Sequence, residues 1–214
     1  AYADISATEY VTNFLRERKA IEHDHIVYAR WGDHYAMYSD ALLQIPHNPE
    51  SAAVIEENGS PEIGILHEEG HRQNRDNRKR EFLTNVLSSI SFGLGLFLGR
   101  KTIFTPASTL WNSAGKSVYT LMMPTLFSGL TTFPFVQAYA RDRERLADQY
   151  AIKYAKSPEE LEQEARRYKN LAIKNSTPLA IASLLSTHPS DMERAKYFQE
   201  AADALRAKQK TPNS

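Results

Sequence analysis

His67, Glu68 and His71 fall in the run His-Glu-Glu-Gly-His, with two imidazoles four residues apart and a carboxylate beside the first. On a helix, residues four apart share a face one turn apart, so the two imidazoles can bind one metal ion together. Glu68 is then rotated by about 100° around the helix. That keeps it off the metal but within reach of a metal-bound water, whose proton it could accept. The run follows Ile63-Gly64-Ile65-Leu66, an apolar stretch that should bury the helix start and draw the histidines inward. A bare match to this pattern also arises by chance on polar helix surfaces, so further ligands are needed to support the reading.

A catalytic zinc takes three protein ligands and leaves a position open for water. The chain has no cysteine, so the third ligand must be His, Asp or Glu from elsewhere. Glu144-Arg-Leu-Ala147-Asp148 offers two carboxylates four apart, again on one helical face. One can bind the metal while the other hydrogen-bonds a ligand histidine, fixing its tautomer and raising its basicity. Ala147 is small and lets this helix come close to the first. Alone, the consecutive charges Arg141 to Arg145 read as a solvated helix face. Ser186-Thr187-His188-Pro189-Ser190 with Arg194 places a histidine in a loop before a capped helix; alone these read as a loop histidine and a surface cation.

In this order the three segments resemble the forty-eighth metallopeptidase family, which includes the CAAX prenyl protease, the HtpX-type membrane proteases, and Oma-type and periplasmic relatives. The matching residues are Glu62 to His71, Glu144 to Asp148 and Ser186 to Arg194, and Tyr35 to Leu43 looks like the strand that precedes the active-site helix there. The resemblance implies a zinc metalloendopeptidase with a gluzincin-like, zincin-like domain holding one Zn2+ per chain. It implies His67, His71 and Glu144 as metal ligands, Glu68 as the catalytic base, and Asp148 as the partner of a ligand histidine. It places His188 and Arg194 near the metal, as oxyanion stabilisers or as a gating loop. A peptide substrate would add to the edge of a small sheet along His34, Tyr35, Ala36, Met37 and Tyr38.

The elements that must hold these groups read as mostly helical, an α+β fold with one small sheet. Ser6-Ala-Thr-Glu9 forms a capping-box pattern ahead of a first helix carrying Tyr10, Val11, Phe14, Leu15 and Ile21. Residues 26–28 and 35–38 are β-prone on either side of Trp31-Gly32-Asp33, which predicts a hairpin turn. Asn58-Gly59 stops a short helix, and Ser60-Pro61-Glu62 starts the reactive one, which runs on as a polar segment through Arg80. Two uncharged stretches, 82–99 and 118–140, approach the length of a membrane span. The serines and glycines of the first, and Pro124 and Pro134 interrupting the second, fit buried or membrane-touching helices better than clean spans. Arg141 to Tyr154, Ser157 to Lys174 and a helix capped at Ser190 complete a single domain over 1–206, with 82–140 as an apolar insert and 207–214 as a frayed tail.

Lys plus Arg and Asp plus Glu are each 26, so no single-sign field exists to bind nucleic acid. Hydrophobic residues at 42% and charged residues at 24% are ordinary for a globular chain. Expected partners are a protein or peptide substrate and a membrane surface met by 82–99 and 118–140. The expected location is the cell envelope or a membrane surface, on the extracytoplasmic side. Two other readings use the same residues. One is a non-enzymatic zinc-binding adaptor; the other is a membrane-integrated quality-control component with a helical hairpin over 82–140. Histidines 23, 25, 34 and 47 fit no standard metal site and read as structural or surface residues.

Overall fold

The computed structural model describes residues 2–103, 113–174 and 188–210. The elements are α1 (Ile5–Glu17), β1 (Ala29–Gly32), β2 (Ala36–Ser39), β3 (Leu42–Pro46), α2 (Ala52–Asn58), α3 (Pro61–Asn74), α4 (Asp76–Ile103), α5 (Ser113–Tyr154), α6 (Pro158–Lys174) and α7 (Asp191–Lys210). The arrangement is α+β, mostly helical, with one three-stranded sheet.

Short polar residues start the helices, because a side-chain oxygen satisfies backbone N–H groups that have no partner inside the helix. Ser60 caps α3 by accepting from the Ile63 N–H at 3.4 Å, with Pro61 in the first turn. Ser157 accepts from Glu160 ahead of α6, and Ser190 accepts from Glu193 ahead of α7. At α1 the cap is Asp4 rather than Ser6: its Oδ1 accepts from the Ala7 N–H at 3.1 Å and from the Ser6 hydroxyl at 2.7 Å. A carboxylate here outcompetes the hydroxyl for the helix N-terminus. Ile21 lies beyond α1, which ends at Glu17.

The sheet differs from the expected hairpin across Trp31-Gly32-Asp33. Trp31 and Gly32 lie inside β1, and β1 pairs in parallel with β3, Ala29 opposite Leu43. The hairpin joins β2 to β3 around Asp40-Ala41, and the strand order is β1-β3-β2. β3 was not foreseen because it is buried along its whole length and shows no polar alternation. α1 covers the outer edge of β1: Thr8 and Thr12 exchange hydrogen bonds with the backbone of Ala29 and Val27. β2 therefore carries the sheet's other edge.

The core lies between α1, the sheet and α3 on one side and α5, α6 and α7 on the other. Val11, Leu15, Leu43, Ile45, Ile63, Ile65, Leu66, Leu161 and Phe198 are fully buried there. Each such side chain contributes roughly 1.5–3 kcal/mol of hydrophobic stabilisation. An Arg18–Glu160 pair, 2.7 and 3.0 Å, ties the end of α1 to α6.

The polar run through Arg80 is not one helix with α3. Arg75 adopts a left-handed conformation (φ 52°, ψ 45°), which ends α3 and lets α4 leave in a new direction. α4 has 28 residues and α5 has 42, about 42 and 63 Å at the helical rise. They form an antiparallel pair in which the Ser128 hydroxyl bonds the Ser88 carbonyl at 3.2 Å. Pro124 and Pro134 lie inside α5 and do not break it. The outer faces of the pair expose Phe82, Ile90, Phe97, Leu130 and Phe135, each more than half accessible. Among the described residues no helix is long and apolar enough to cross a membrane. α7 continues to Lys210, beyond the expected frayed start at Ala207.

Candidate metal centre and cleft

α3 and α5 pack closely enough to share ligands because Gly70 faces Ala147. A Cβ on Gly70 would lie 2.9 Å from the Ala147 Cα and 3.2 Å from its carbonyl oxygen. This contact turns His67 and His71 toward Glu144 and Asp148.

The Nδ1 atoms of the two histidines face carboxylates, His67 to Asp148 Oδ1 at 2.8 Å and His71 to Asp76 Oδ2 at 2.8 Å. The Asp148 carboxyl is held ionised: burial would raise its pKa, but His67 and Arg194 beside it lower it. An ionised carboxylate only accepts, so each Nδ1 donates to it, and a neutral ring then presents its lone pair at Nε2. The two Nε2 atoms lie 3.1 Å apart. Glu144 brings Oε2 to 3.4 Å from one and Oε1 to 3.3 Å from the other. Three potential ligand atoms thus converge within 3.1–3.4 Å, an arrangement that a bound cation would hold together. Burial alone would lower the His67 pKa, but Asp148 and Glu144 overcome it and push it up to about 10.

His67, His71 and Glu144 fit zinc. Ligand atoms about 2.0–2.2 Å from an ion at tetrahedral angles sit about 3.3–3.5 Å from one another, close to the separations here. Two imidazoles and one carboxylate match the donor types that zinc accepts, whereas calcium and magnesium take oxygen ligands. The Glu144 carboxyl lies well below the usual range: burial would raise it, and the imidazoles of His188, His67 and His71 hold it down.

Glu68 lines the same cleft without contributing a ligand atom to this cluster. Burial raises its carboxyl pKa, opposed by His67 and His71. His188 places Nδ1 3.0 Å from Glu144 Oε2 and is more than half exposed. Ser186 and Thr187 lie outside the described residues. Arg194 is buried: it donates to Asp148 Oδ1 at 2.5 Å, approaches Glu144 at 3.9 Å and stacks over the Tyr168 ring at 4.1 Å. His34, Tyr35, Ala36 and Met37 line, together with α3, a cleft of about 530 Å³, and Tyr38 follows in β2.

Residues 17–202 match the model of peptidase family M48. The chain belongs to that family. No curated protein and no solved structure matches it. For an M48 peptidase, the sequence reading missed two supports of the site. Asp76 holds His71 only because the chain turns at Arg75, and no residue type in the sequence announced that turn. Tyr197 gives its hydroxyl to Asp148 Oδ2. Its position three residues after Arg194, on the same face of α7, was the available signal. Of the remaining histidines, His34 lines the cleft, His25 accepts from Arg72 at 3.0 Å, and His47 stacks on Trp31.

Proposed function

We propose that this M48 peptidase is a zinc-dependent endopeptidase in which His67, His71 and Glu144 hold the metal and Glu68 is the catalytic base. The observation carrying the reading is the convergence of two Nε2 atoms and one carboxylate within 3.1–3.4 Å. In this reading the domain is zincin-like, and α3 is its active-site helix. The likeness of the three segments to CAAX prenyl protease, HtpX-type and Oma-type members supports the same ligand set.

Bound zinc would polarise the scissile carbonyl and acidify a water. The chain supplies the rest. Asp148 and Asp76 fix both imidazoles in the Nδ1–H tautomer, so that the Nε2 lone pairs point inward. Glu68 takes a proton from the attacking water and returns it to the departing amine. Its raised pKa suits both halves of that exchange, whereas a purely structural metal site has no need of such a carboxylate. His188, more than half exposed beside Glu144, or Arg194 behind it, donates to the developing oxyanion. The edge strand β2 holds the peptide through backbone hydrogen bonds, which makes selection by sequence weak. The exposed apolar faces of α4 and α5 support contact with a membrane surface, and with it a place at the cell envelope.

Cleavage of an unstructured protein such as casein, with and without chelator, tests the reading together with Glu68→Gln. The variant should keep its zinc and lose about 10²–10⁴-fold in turnover. Full activity in Glu68→Gln would remove Glu68 from the mechanism, and chelator-resistant cleavage would remove the metal.

A further inference from the structure

Four arginines line the cleft, and they are not equivalent. At one end Arg167 is neutralised by Glu164 at 2.7 Å, and in the centre Arg194 is neutralised by Asp148 at 2.5 Å. At the other end, where α4 and α5 leave the domain, stand Arg80 and Arg143. Among the described residues no carboxylate pairs with the Arg80 guanidinium, and its neighbour Glu81 forms no ion pair with it. Arg143 has Asp76 Oδ1 at 3.9 Å, beyond hydrogen-bond distance, while Asp76 Oδ2 is committed to His71. The Arg143 Nε is buried without a hydrogen-bond partner, and its guanidinium stacks on Tyr139 at 4.8 Å. Buried donors of this kind are ordinarily satisfied. Arg80 also borders the adjoining hollow lined by Met37, Ser39, Asn77 and Thr84, where Asp40 is paired with Arg78 at 3.3 Å and Glu81 lies alongside, so it stands where β2 leaves the cleft.

We infer that this end of the cleft is a specificity subsite for a substrate carboxylate, an Asp or Glu side chain on the side of the scissile bond that lies toward α4. The inference rests on the peptidase reading. A peptide running along β2 passes between the metal centre and Arg80, and an acidic side chain there meets two guanidinium groups with donors to spare. Carboxylate is the group those planar donors match, through paired N–H···O bonds. Lysine at the same substrate position meets two like charges and is rejected.

The test uses the zinc-loaded full chain and one short peptide scaffold, with Glu, Gln or Lys placed in turn at each position around the cleaved bond. Glu should exceed Gln in kcat/KM by about 3–10-fold at one or two positions on a single side of the bond, with Lys poorest. The preference should shrink at high salt, because Arg80 is exposed. Arg80→Glu should reverse the order. Lys79→Glu, the same charge change one residue away and outside the cleft, should preserve it. Arg143 is unsuitable for this test because it touches Asp76 and therefore the support of His71. Binding of the same peptides to Glu68→Gln, followed by fluorescence anisotropy, separates the two claims. Cleavage without charge preference, or a preference unchanged in Arg80→Glu, would overturn the subsite and leave the peptidase intact. Charge-selective binding with no cleavage by the wild type would overturn the peptidase and leave the subsite. Neither binding nor cleavage would overturn both.

Discussion

Asp148→Asn separates the charge at the centre of the site from its shape. Asp148 is buried, and its two oxygens accept from three groups: the His67 Nδ1–H at 2.8 Å, an Arg194 N–H at 2.5 Å and the Tyr197 hydroxyl. Asparagine fills the same volume but removes the negative charge and turns one acceptor into a donor facing Tyr197. Arg194, with 9% of its side chain accessible, is then left a buried cation whose other carboxylate, Glu144, is 3.9 Å away. Two charge-assisted hydrogen bonds are weakened, each contributing about 1.5–3 kcal/mol. Breaking one side of a buried ion pair costs about 3–5 kcal/mol. A loss of about 3–5 kcal/mol is therefore expected, a large share of the roughly 5–15 kcal/mol that stabilises a typical domain. His67 also loses the partner that fixes its tautomer, so zinc affinity should fall about 10–100-fold. Urea unfolding of the metal-free forms gives the first number, and competition with a chromophoric chelator gives the second. A variant with wild-type unfolding and wild-type zinc affinity would refute the argument that Asp148 carries both loads.

His188→Ala should keep zinc and change turnover, raising the barrier by about 2.7–4 kcal/mol if its ring donates to the oxyanion. Loss of zinc in that variant, measured by elemental analysis, would make His188 a ligand and the resting site closed. Gly70→Ala should destabilise the fold by about 1–3 kcal/mol and weaken metal binding, because the new methyl meets the Ala147 backbone, which cannot rotate aside. Thermal unfolding with and without zinc checks it, and an unchanged midpoint would show that α3 and α5 separate at no cost.

The parts of the site that depend on local spacing were legible in the sequence. His67 and His71 share a face because helical spacing requires it, and Ser60-Pro61 marks where that helix begins. Glu144 and Asp148 were recognisable as a pair for the same reason, though their division of labour came only from the resemblance. What was not legible depends on chain direction. Arg75 turns left-handed with an ordinary side chain, so nothing in the residue types announced that Asp76 would return to His71. The parallel pairing of β1 with β3 joins residues about fourteen apart, such as Ala29 and Leu43, across an intervening strand. A strand buried on both faces leaves no alternation to read. Pro124 and Pro134 looked like interruptions because a proline removes one helical hydrogen bond, yet α5 absorbs both.

Zinc content per chain in Glu144→Ala, measured beside the wild type with folding monitored by circular dichroism, tests the metal centre most directly. One zinc per wild-type chain, lost from a variant that keeps its helices, is the result that a His-His-Glu centre shared by α3 and α5 requires. A wild type that takes up no zinc, or a variant that retains it as tightly, would contradict it.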